Sequence, residues 1–229
     1  MRSKSQIGAR VGLLAALSLV LGYFDRAIPI TWLLGGAVPG IKLGLANTVL
    51  LYAVYLMDWK TCVALMLTKV LLSGFLFGSM SAILYSLSGG ALSLLVMLLA
   101  RKNAPAGALA IAALTFMSDA WLLYRNPAPG GQMLLCVVLI GLAFIASVAA
   151  FAVMRRHPEW RVLGVSLAGA VAHNVGQILM ASRVLRTPQL LYTYLPVLVG
   201  IGAVVGTLTG LVAQRVFTAL RLNILEDKH

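Results

Sequence analysis

Apolar runs long enough to cross a membrane recur along this chain and constrain its fold more than any other feature. A helix needs about 20 apolar residues to span the hydrocarbon core of a bilayer. Between polar breaks the sequence holds eight such runs, the second a short one, at 7–24, 43–57, 61–78, 79–100, 106–124, 132–154, 162–181 and 194–216. Of the 229 residues, 61% are hydrophobic and 10% are charged, too few polar side chains to cover a soluble globule. The sequence therefore predicts an all-α integral membrane protein, a helical bundle of about eight spans in a single transmembrane domain over residues 1–229.

The distribution of positive charge predicts the orientation of the bundle. The formal net charge is +12, and the basic residues lie in short clusters between the apolar runs, which is typical of the positive-inside rule and not of a nucleic-acid surface. Of the 18 Lys and Arg residues, Lys69 lies within a span, twelve others fall on one side of the membrane and five on the opposite side. We therefore expect a multi-pass protein of the bacterial cytoplasmic membrane with both termini inside (N-in, C-in).

Polar residues at membrane depth mark a candidate binding site. The stretch PGIKLGLAN (39–47) places a Lys and an Asn among glycines where an apolar run begins, and its Pro-Gly pair breaks regular structure. A lysine in the middle of a span, such as Lys69, is energetically costly to place in the membrane, so we interpret it first as part of a functional site. His173 and Gln177 lie one helical turn apart on one face. We predict that an outward-opening, substrate-binding cavity is lined by Lys42, Asn47, Lys69, His173, Asn174 and Gln177.

Each of these residues also has a structural interpretation. Lys42 can anchor the chain at the headgroup level, and the amide and imidazole side chains can form hydrogen bonds between helices. Asp119, in the fifth run, is expected to pair with Lys69 or Arg125. A cationic mouth would favour an anionic ligand, and its residues are Arg26, Lys42, Arg183 and Arg186.

Small residues recur at every fourth position in three of the runs, a spacing that lets helices approach closely. Two of these stripes are predicted to pack on each other or on close neighbours: Gly164, Ala168, Ala172 and Gly176 in the seventh run, and Gly202, Gly206 and Gly210 in the eighth. For the stripe in the first run two interpretations stay open, internal packing and docking of a partner subunit. Its residues are Gly8, Gly12 and Ala16.

The sequence supplies little for catalysis. It has six acidic residues, with no aspartate-rich motif that could hold Mg²⁺ on a diphosphate and no Gly-rich Lys-Ser/Thr loop for a nucleotide. No Cys/His spacing indicates a metal site, and Cys62 and Cys136 fall near opposite membrane faces and cannot pair. We therefore expect no enzyme activity, no catalytic residue, no cofactor and no bound metal.

Three blocks of sequence carry a resemblance to a known family: PGIKLGLANTVLLYAVYL, LLSGFLFGSMSAILYSLSGGALSLLVMLLARK and GVSLAGAVAHNVGQILMA. Over residues 7–102 and 160–217 the chain resembles the Gx transporter family, also described as heptaprenyl diphosphate synthase component I. That family is similar to the substrate-binding S components of energy-coupling factor (ECF) vitamin transporters. The resemblance implies a six-helix core that binds a metabolite from outside. It also implies that the first-helix stripe docks on a shared ECF coupling protein, which carries the ATPases.

The segment 103–160 departs from that pattern, because it adds two apolar runs. We expect it to form an inserted pair of helices, in which Asp119 inherits no role from the family. The function that the resemblance implies is membrane transport, with this chain as the substrate-binding protein for a small anionic metabolite. The alternative is a noncatalytic membrane subunit associated with isoprenoid or quinone metabolism or with flavin-based extracellular electron transfer. The lipid bilayer is an expected partner and nucleic acid is not.

Overall fold

A computed structural model describes residues 4–27, 44–77, 80–125 and 130–219 of the chain. Within these ranges it contains nine α-helices and a 3₁₀ turn at Pro158–Trp160: α1 (Lys4–Ala27), α2 (Asn47–Leu56), α3 (Trp59–Phe77), α4 (Met80–Ala100), α5 (Ala104–Arg125), α6 (Gly131–Arg156), α7 (Arg161–Val184), α8 (Gln189–Thr193) and α9 (Leu195–Ala219). Seven of these helices are long and apolar enough to cross a membrane. The prediction of an all-α, multi-pass membrane protein is confirmed, and about eight spans agrees with seven long helices and the short α2.

The second predicted span is a helix of about half the usual length. The sequence predicts a span over 43–57, whereas α2 covers ten residues, Asn47–Leu56. At 1.5 Å per residue such a helix is about 15 Å long, and the hydrocarbon core is about 30 Å thick. Arg101 Nη1, just past the end of α4, donates to the Val54 carbonyl oxygen at 2.8 Å, so the C-terminal end of α2 lies level with the end of α4. The N-terminal end of α2 therefore lies at membrane depth.

Helix α3 begins at a side-chain cap formed by Asp58. Asp58 Oδ1 accepts a hydrogen bond from the Thr61 hydroxyl at 2.6 Å, and Asp58 Oδ2 accepts one from the Thr61 backbone N–H at 3.2 Å. The cap satisfies one of the donors that the first turn of α3 leaves unpaired. These hydrogen bonds from Thr61 lower the pKa of the exposed Asp58 carboxyl.

Helix α7 forms the centre of the bundle. Of its 24 residues, 18 are buried, and its most extensive contacts are with α9 and α4. A Cβ on Gly176 would lie 2.8 Å from Gly89 Cα in α4, and a Cβ on Gly206 in α9 would lie 2.7 Å from Leu167 Cα in α7. The predicted close packing is thus confirmed for the stripe of small residues on α9, which contacts α7. The stripe of α7 itself faces other neighbours, α4 and α5.

The two helices of segment 103–160 belong to the same packed core. α5 and α6 pack on each other, and both also contact α7 and α9. A Cβ on Gly164 in α7 would lie 2.6 Å from the Ala104 carbonyl oxygen at the start of α5, and one on Gly200 in α9 would lie 3.2 Å from Ile140 Cα in α6. The pair is therefore an integral part of the described bundle and not an appendage on its surface.

Chain connectivity gathers most of the described basic residues at one end of the bundle, here called the basic end: Arg10, Lys60, Arg101, Lys102, Arg155, Arg156, Arg161 and Arg215. The other end carries Arg125, Arg183 and Arg186. This distribution has the asymmetry on which the positive-inside prediction rests. The orientation in the membrane stays a prediction.

Candidate functional site

A chain of hydrogen bonds between buried polar side chains joins four helices at mid-depth. Lys69 Nζ, in the middle of α3, donates to Asn47 Oδ1 at 2.8 Å and to the Ala46 carbonyl oxygen at 3.3 Å. Asn47 Nδ2 donates to Ser93 Oγ in α4 at 2.6 Å, and Ser93 Oγ donates to the Gly169 carbonyl oxygen in α7 at 2.8 Å. The lysine and the asparagine that the sequence singled out therefore meet, and the amide of Asn47 connects the ammonium group to the centre of the bundle.

Asp25 belongs to the same cluster, although the sequence analysis did not assign it to a site. It is 3% exposed and lies near the end of α1. Its Oδ1 accepts a hydrogen bond from the Leu45 backbone N–H at 3.1 Å, and its Oδ2 accepts one from the Ala46 N–H at 3.5 Å. Asp25 thus caps the N-terminal end of α2 from another helix, where a negative charge complements the helix dipole. The only signal in the sequence was an acidic residue at the end of an apolar run.

Gly44 lets the chain pass close to α7 before α2 begins. Its φ of +87° lies in the left-handed region, which glycine adopts without steric cost. A Cβ at this position would lie 3.0 Å from His173 Cδ2. Replacement of Gly44 would therefore strain the backbone and crowd the imidazole at the same time.

His173 and Gln177 lie in the contact between α7 and α4. A Cβ on Gly89 would lie 2.7 Å from the His173 carbonyl oxygen and 2.9 Å from Gln177 Cγ. One turn away, Ser88 Oγ donates to the Gly176 carbonyl oxygen at 2.9 Å. The close approach of the two backbones buries both polar side chains and fixes their positions beside α4.

Asn174 faces a different neighbour. Its Nδ2 donates to the Leu198 carbonyl oxygen of α9 at 2.8 Å, and its side chain is fully buried. Its Oδ1 accepts no hydrogen bond from the part of the chain that the structure describes. Asn174 is therefore placed as an interhelical hydrogen-bond donor between α7 and α9, whereas Gln177 contacts α4.

A small cavity lies against this polar cluster. Its lining combines a carboxylate, an ammonium group, an imidazole and hydroxyl groups, on residues that include Asp25, Asn47, Lys69, Ser73, Ser86 and His173. The volume open to the centres of water molecules is about 30 Å³, which is room for about two waters. Pockets for drug-sized ligands measure about 300–1,000 Å³. In this shape the cavity takes a single small polar group, such as one end of a ligand.

The structure thus separates the six predicted site residues into three groups. Asn47, Lys69 and His173 line the cavity, whereas Asn174 and Gln177 are buried beside other helices and do not line it. Lys42 lies outside the described residues, as does the side chain of Arg26 from the predicted mouth. Arg183 and Arg186 are exposed and lie at the end of the bundle opposite the basic end.

No group of three or more His, Cys, Asp or Glu side chains that could hold a metal ion occurs in the ranges 4–27, 44–77, 80–125 and 130–219.

The expected ion pair of Asp119 does not form. The Lys69 ammonium binds Asn47 and Ala46, and the Arg125 guanidinium lies 5.8 Å from the centre of the Trp121 ring. Asp119 Oδ1 is buried and accepts no hydrogen bond from the described residues. The prediction failed because it used only sequence position, whereas Lys69 faces α2 and Arg125 folds back along its own helix.

The stripe of small residues on α1 faces away from the bundle. Gly8, Gly12 and Ala16 are exposed, and a Cβ on either glycine would meet nothing within 4 Å. Buried residues of α1, such as Ala15 and Ser18, face the core instead. Of the two interpretations of the stripe, this geometry disfavours internal packing and leaves the surface open to lipid or to a partner.

Comparison with known proteins gives a family but no individual relative. No curated protein and no solved structure shows a significant match to this chain. A family model described as heptaprenyl diphosphate synthase component I matches residues 14–120 and 128–216. This match covers most of the chain, including most of α5 and all of α6, and it includes every predicted site residue from Lys42 to Gln177. The protein therefore belongs to the heptaprenyl diphosphate synthase component I family.

Proposed function

We propose that this protein is a substrate-binding membrane protein of the S-component type, which binds a small anionic metabolite and is energised by an ATPase module on a partner. The observation that carries the proposal is the Lys69 ammonium, buried at mid-depth in contact with Asn47 and beside a cavity. A charged side chain at this depth is costly to insert and is typical of substrate or ion pathways. The site lies in the bacterial cytoplasmic membrane under this proposal, and the cavity holds the anionic end of the ligand.

Charge and donor chemistry support an anionic ligand. Lys69 and His173 line the cavity together with two serines, and all four side chains can donate hydrogen bonds to carboxylate or phosphate oxygens. Hydrogen bonds to charged groups are shorter and stronger than neutral ones. The carboxylate of Asp25 contacts the backbone N–H groups of residues 45 and 46, which offsets part of its negative charge.

Binding of metabolites that co-purify with the protein tests this proposal. Lys69→Met removes the ammonium group and keeps a side chain of similar length, so we expect a loss of about tenfold to a hundredfold in affinity, since a charged hydrogen bond contributes about 1.5–3 kcal/mol. The measurement is untargeted mass spectrometry of ligands bound to the purified protein, followed by titration of the ligand found. Lys60→Met, on the exposed start of the same helix, is the matched control. Equal affinity in the two variants would return Lys69 to a structural role.

The partner is proposed to dock on the exposed face of α1. Gly8 and Gly12 have open space above them, and two helix backbones can approach closely only where side-chain bulk is absent. Gly12→Leu should abolish co-purification with an ECF coupling protein expressed from the same organism, whereas Gly130→Leu, at an equally open position elsewhere, should not. Ligand binding should survive in both variants, because α1 contributes to the cavity through Gly22 and Asp25, three turns away.

A second candidate function follows from the family description. Membership of the heptaprenyl diphosphate synthase component I family favours a noncatalytic subunit of a prenyl-diphosphate synthase complex. Co-purification of a prenyl synthase instead of an ECF module from native membranes would select this candidate. The isolated chain should then still form no polyprenyl product from isopentenyl and allylic diphosphates with Mg²⁺, because its sequence lacks a carboxylate-rich motif for the metal.

A further inference from the structure

One carboxyl group lies within a membrane-spanning helix that does not line the central cavity, which is the cavity beside Asn47, Lys69 and His173. Asp119 is in α5, less than two turns from its end at Arg125. Its Oδ1 is buried without a hydrogen bond from any described residue. Its Oδ2 faces α6, where a Cβ on Gly141 would lie 3.4 Å away. The absence of a side chain at Gly141 thus leaves a notch in α6 that accommodates the carboxyl group in the seam between the two helices.

The helices packed around Asp119 provide no countercharge at its depth. α5 contacts α6, α7, α9 and, less extensively, α4. α4 carries no charged residue, and the charged residues of the other three helices lie within five residues of a helix end. They are Arg155 and Arg156 on α6, Arg161 and Arg183 on α7, and Arg215 on α9. The titratable groups within the spans are the Cys136 thiol on α6 and the His173 imidazole, which lines the central cavity with α2 and α3. On α5 itself, Arg125 lies over the Trp121 ring.

If Asp119 were ionised, no described countercharge or hydrogen bond to Oδ1 would offset the free energy of removing its carboxylate from water. Transfer of an isolated carboxylate from water into a medium of low dielectric costs far more than transfer of the neutral acid, and the effective penalty is still several kcal/mol after relaxation. A neutral acid also gains an O–H donor that the carboxylate lacks. Geometry, the burial of Oδ1 and the absence of a countercharge therefore all favour the protonated form.

We propose that Asp119 is a proton-binding site within the membrane, a carboxylic acid that holds its proton at neutral pH in the seam between α5 and α6. The proton comes from water, and the site releases it to water, so that no other reactant takes part. This site is separate from the central cavity and does not depend on the function proposed for it.

A cleft between Asp119 and the C-terminal end of α5 offers a route for the proton. Leu122, one turn further along α5 on the same face, lines an open cleft of about 550 Å³ between α5, α6 and the α8 region. Arg125, Tyr124 and Thr193 bring polar groups to its wall. Water can therefore reach to within one helical turn of the carboxyl group from the end of the bundle opposite the basic end.

The protonation state can be measured directly by infrared spectroscopy of the full-length protein in membranes. A protonated carboxyl group absorbs as a C=O stretch that is distinct from carboxylate bands and shifts on exchange into D₂O. At pH 7 we expect this band in the wild type and its loss in Asp119→Asn. The matched control is Asp58→Asn, which removes an exposed carboxylate and should remove a carboxylate band only. A carboxylate band lost from Asp119→Asn would overturn the proposal.

The pH dependence of stability gives a second readout. The folded state binds one proton at Asp119 that the unfolded chain releases above its ordinary pKa, so this group makes the protein less stable as the pH rises, by up to about tenfold per pH unit in the unfolding equilibrium constant. Asp119→Asn should remove this dependence between pH 5 and 7 and leave the protein at least as stable as the wild type at pH 7. The same pH slope in wild type and variant would contradict a bound proton, whatever the infrared result for other groups.

Discussion

At the residue scale, two buried side chains of opposite charge are tied to the same short piece of backbone. Asp25 accepts hydrogen bonds from the N–H groups of Leu45 and Ala46, and Lys69 donates to the Ala46 carbonyl oxygen and to Asn47. Each charged side chain therefore has hydrogen-bond partners at the N-terminal end of α2. Such partners offset the free energy of burying a charge. These contacts stabilise the junction of α1, α2 and α3 whether or not a ligand binds.

Asp25→Asn should destabilise the protein by about 1–3 kcal/mol, because the new amide replaces one acceptor by a donor that faces a backbone N–H. Thermal unfolding in detergent measures the effect. Asp58→Asn is the matched control, since Asp58 also caps a helix but is exposed, and Asn caps a helix about as well as Asp. Similar unfolding temperatures for the two variants would show that the buried cap carries no special weight.

At the element scale, apolar length predicted the long helices, and contacts between distant parts of the chain decided the rest. The run at 43–57 predicted a span, but α2 covers only Asn47–Leu56. Its N-terminal end lies at membrane depth, where Asp25 accepts hydrogen bonds from the backbone N–H groups of residues 45 and 46. Lys69 and Asn47 could be predicted to need polar partners because of their depth. Asp25 could not be paired with Leu45 from sequence, since backbone N–H groups carry no sequence signal. Nor could spacing alone show that Asn174 faces α9 while Gln177 faces α4.

The contact between α4 and α7 gives a sharp test of glycine packing. Gly89→Ala would place a Cβ 2.7 Å from the His173 carbonyl oxygen, whereas Gly90→Ala would place one 3.2 Å from Cγ of the flexible Met66 side chain. Both changes raise helix propensity by about 1 kcal/mol. We expect Gly89→Ala to destabilise the protein by about 1–3 kcal/mol through overpacking and Gly90→Ala to be neutral or stabilising. Thermal unfolding of the two variants side by side measures the difference, and the reverse order would contradict the packing described for α4.

At the scale of the whole molecule, the asymmetry of charge between the two ends predicts the orientation. Eight Lys and Arg residues with described side chains lie at the basic end and three at the other, and basic segments remain in the cytoplasm. The open cleft between α5, α6 and the α8 region and Arg183 then face outward.

Cysteine labelling in intact cells tests this orientation. A thiol reagent that does not cross the membrane should label Gly130→Cys and should not label Pro158→Cys, since these exposed positions lie at opposite ends of the bundle. The two native cysteines are buried and give a low background. Labelling of the second variant alone would invert the topology and place the cleft near Asp119 on the cytoplasmic side.

The central position of α7 has a consequence for how the protein is made. An 18-residue window of its span has a mean hydropathy of 1.4, against 2.8 for the corresponding window of α6 and 2.1 for that of α9, because α7 carries the buried amides, the imidazole and serines of the core. Polar residues lower the tendency of a nascent segment to leave the translocon for lipid. α7 emerges from the ribosome between two strongly apolar segments, and α6, already in the membrane, offers it a protein surface. The segment around which the finished bundle packs is thus one that relies on its neighbours in the chain to enter the bilayer.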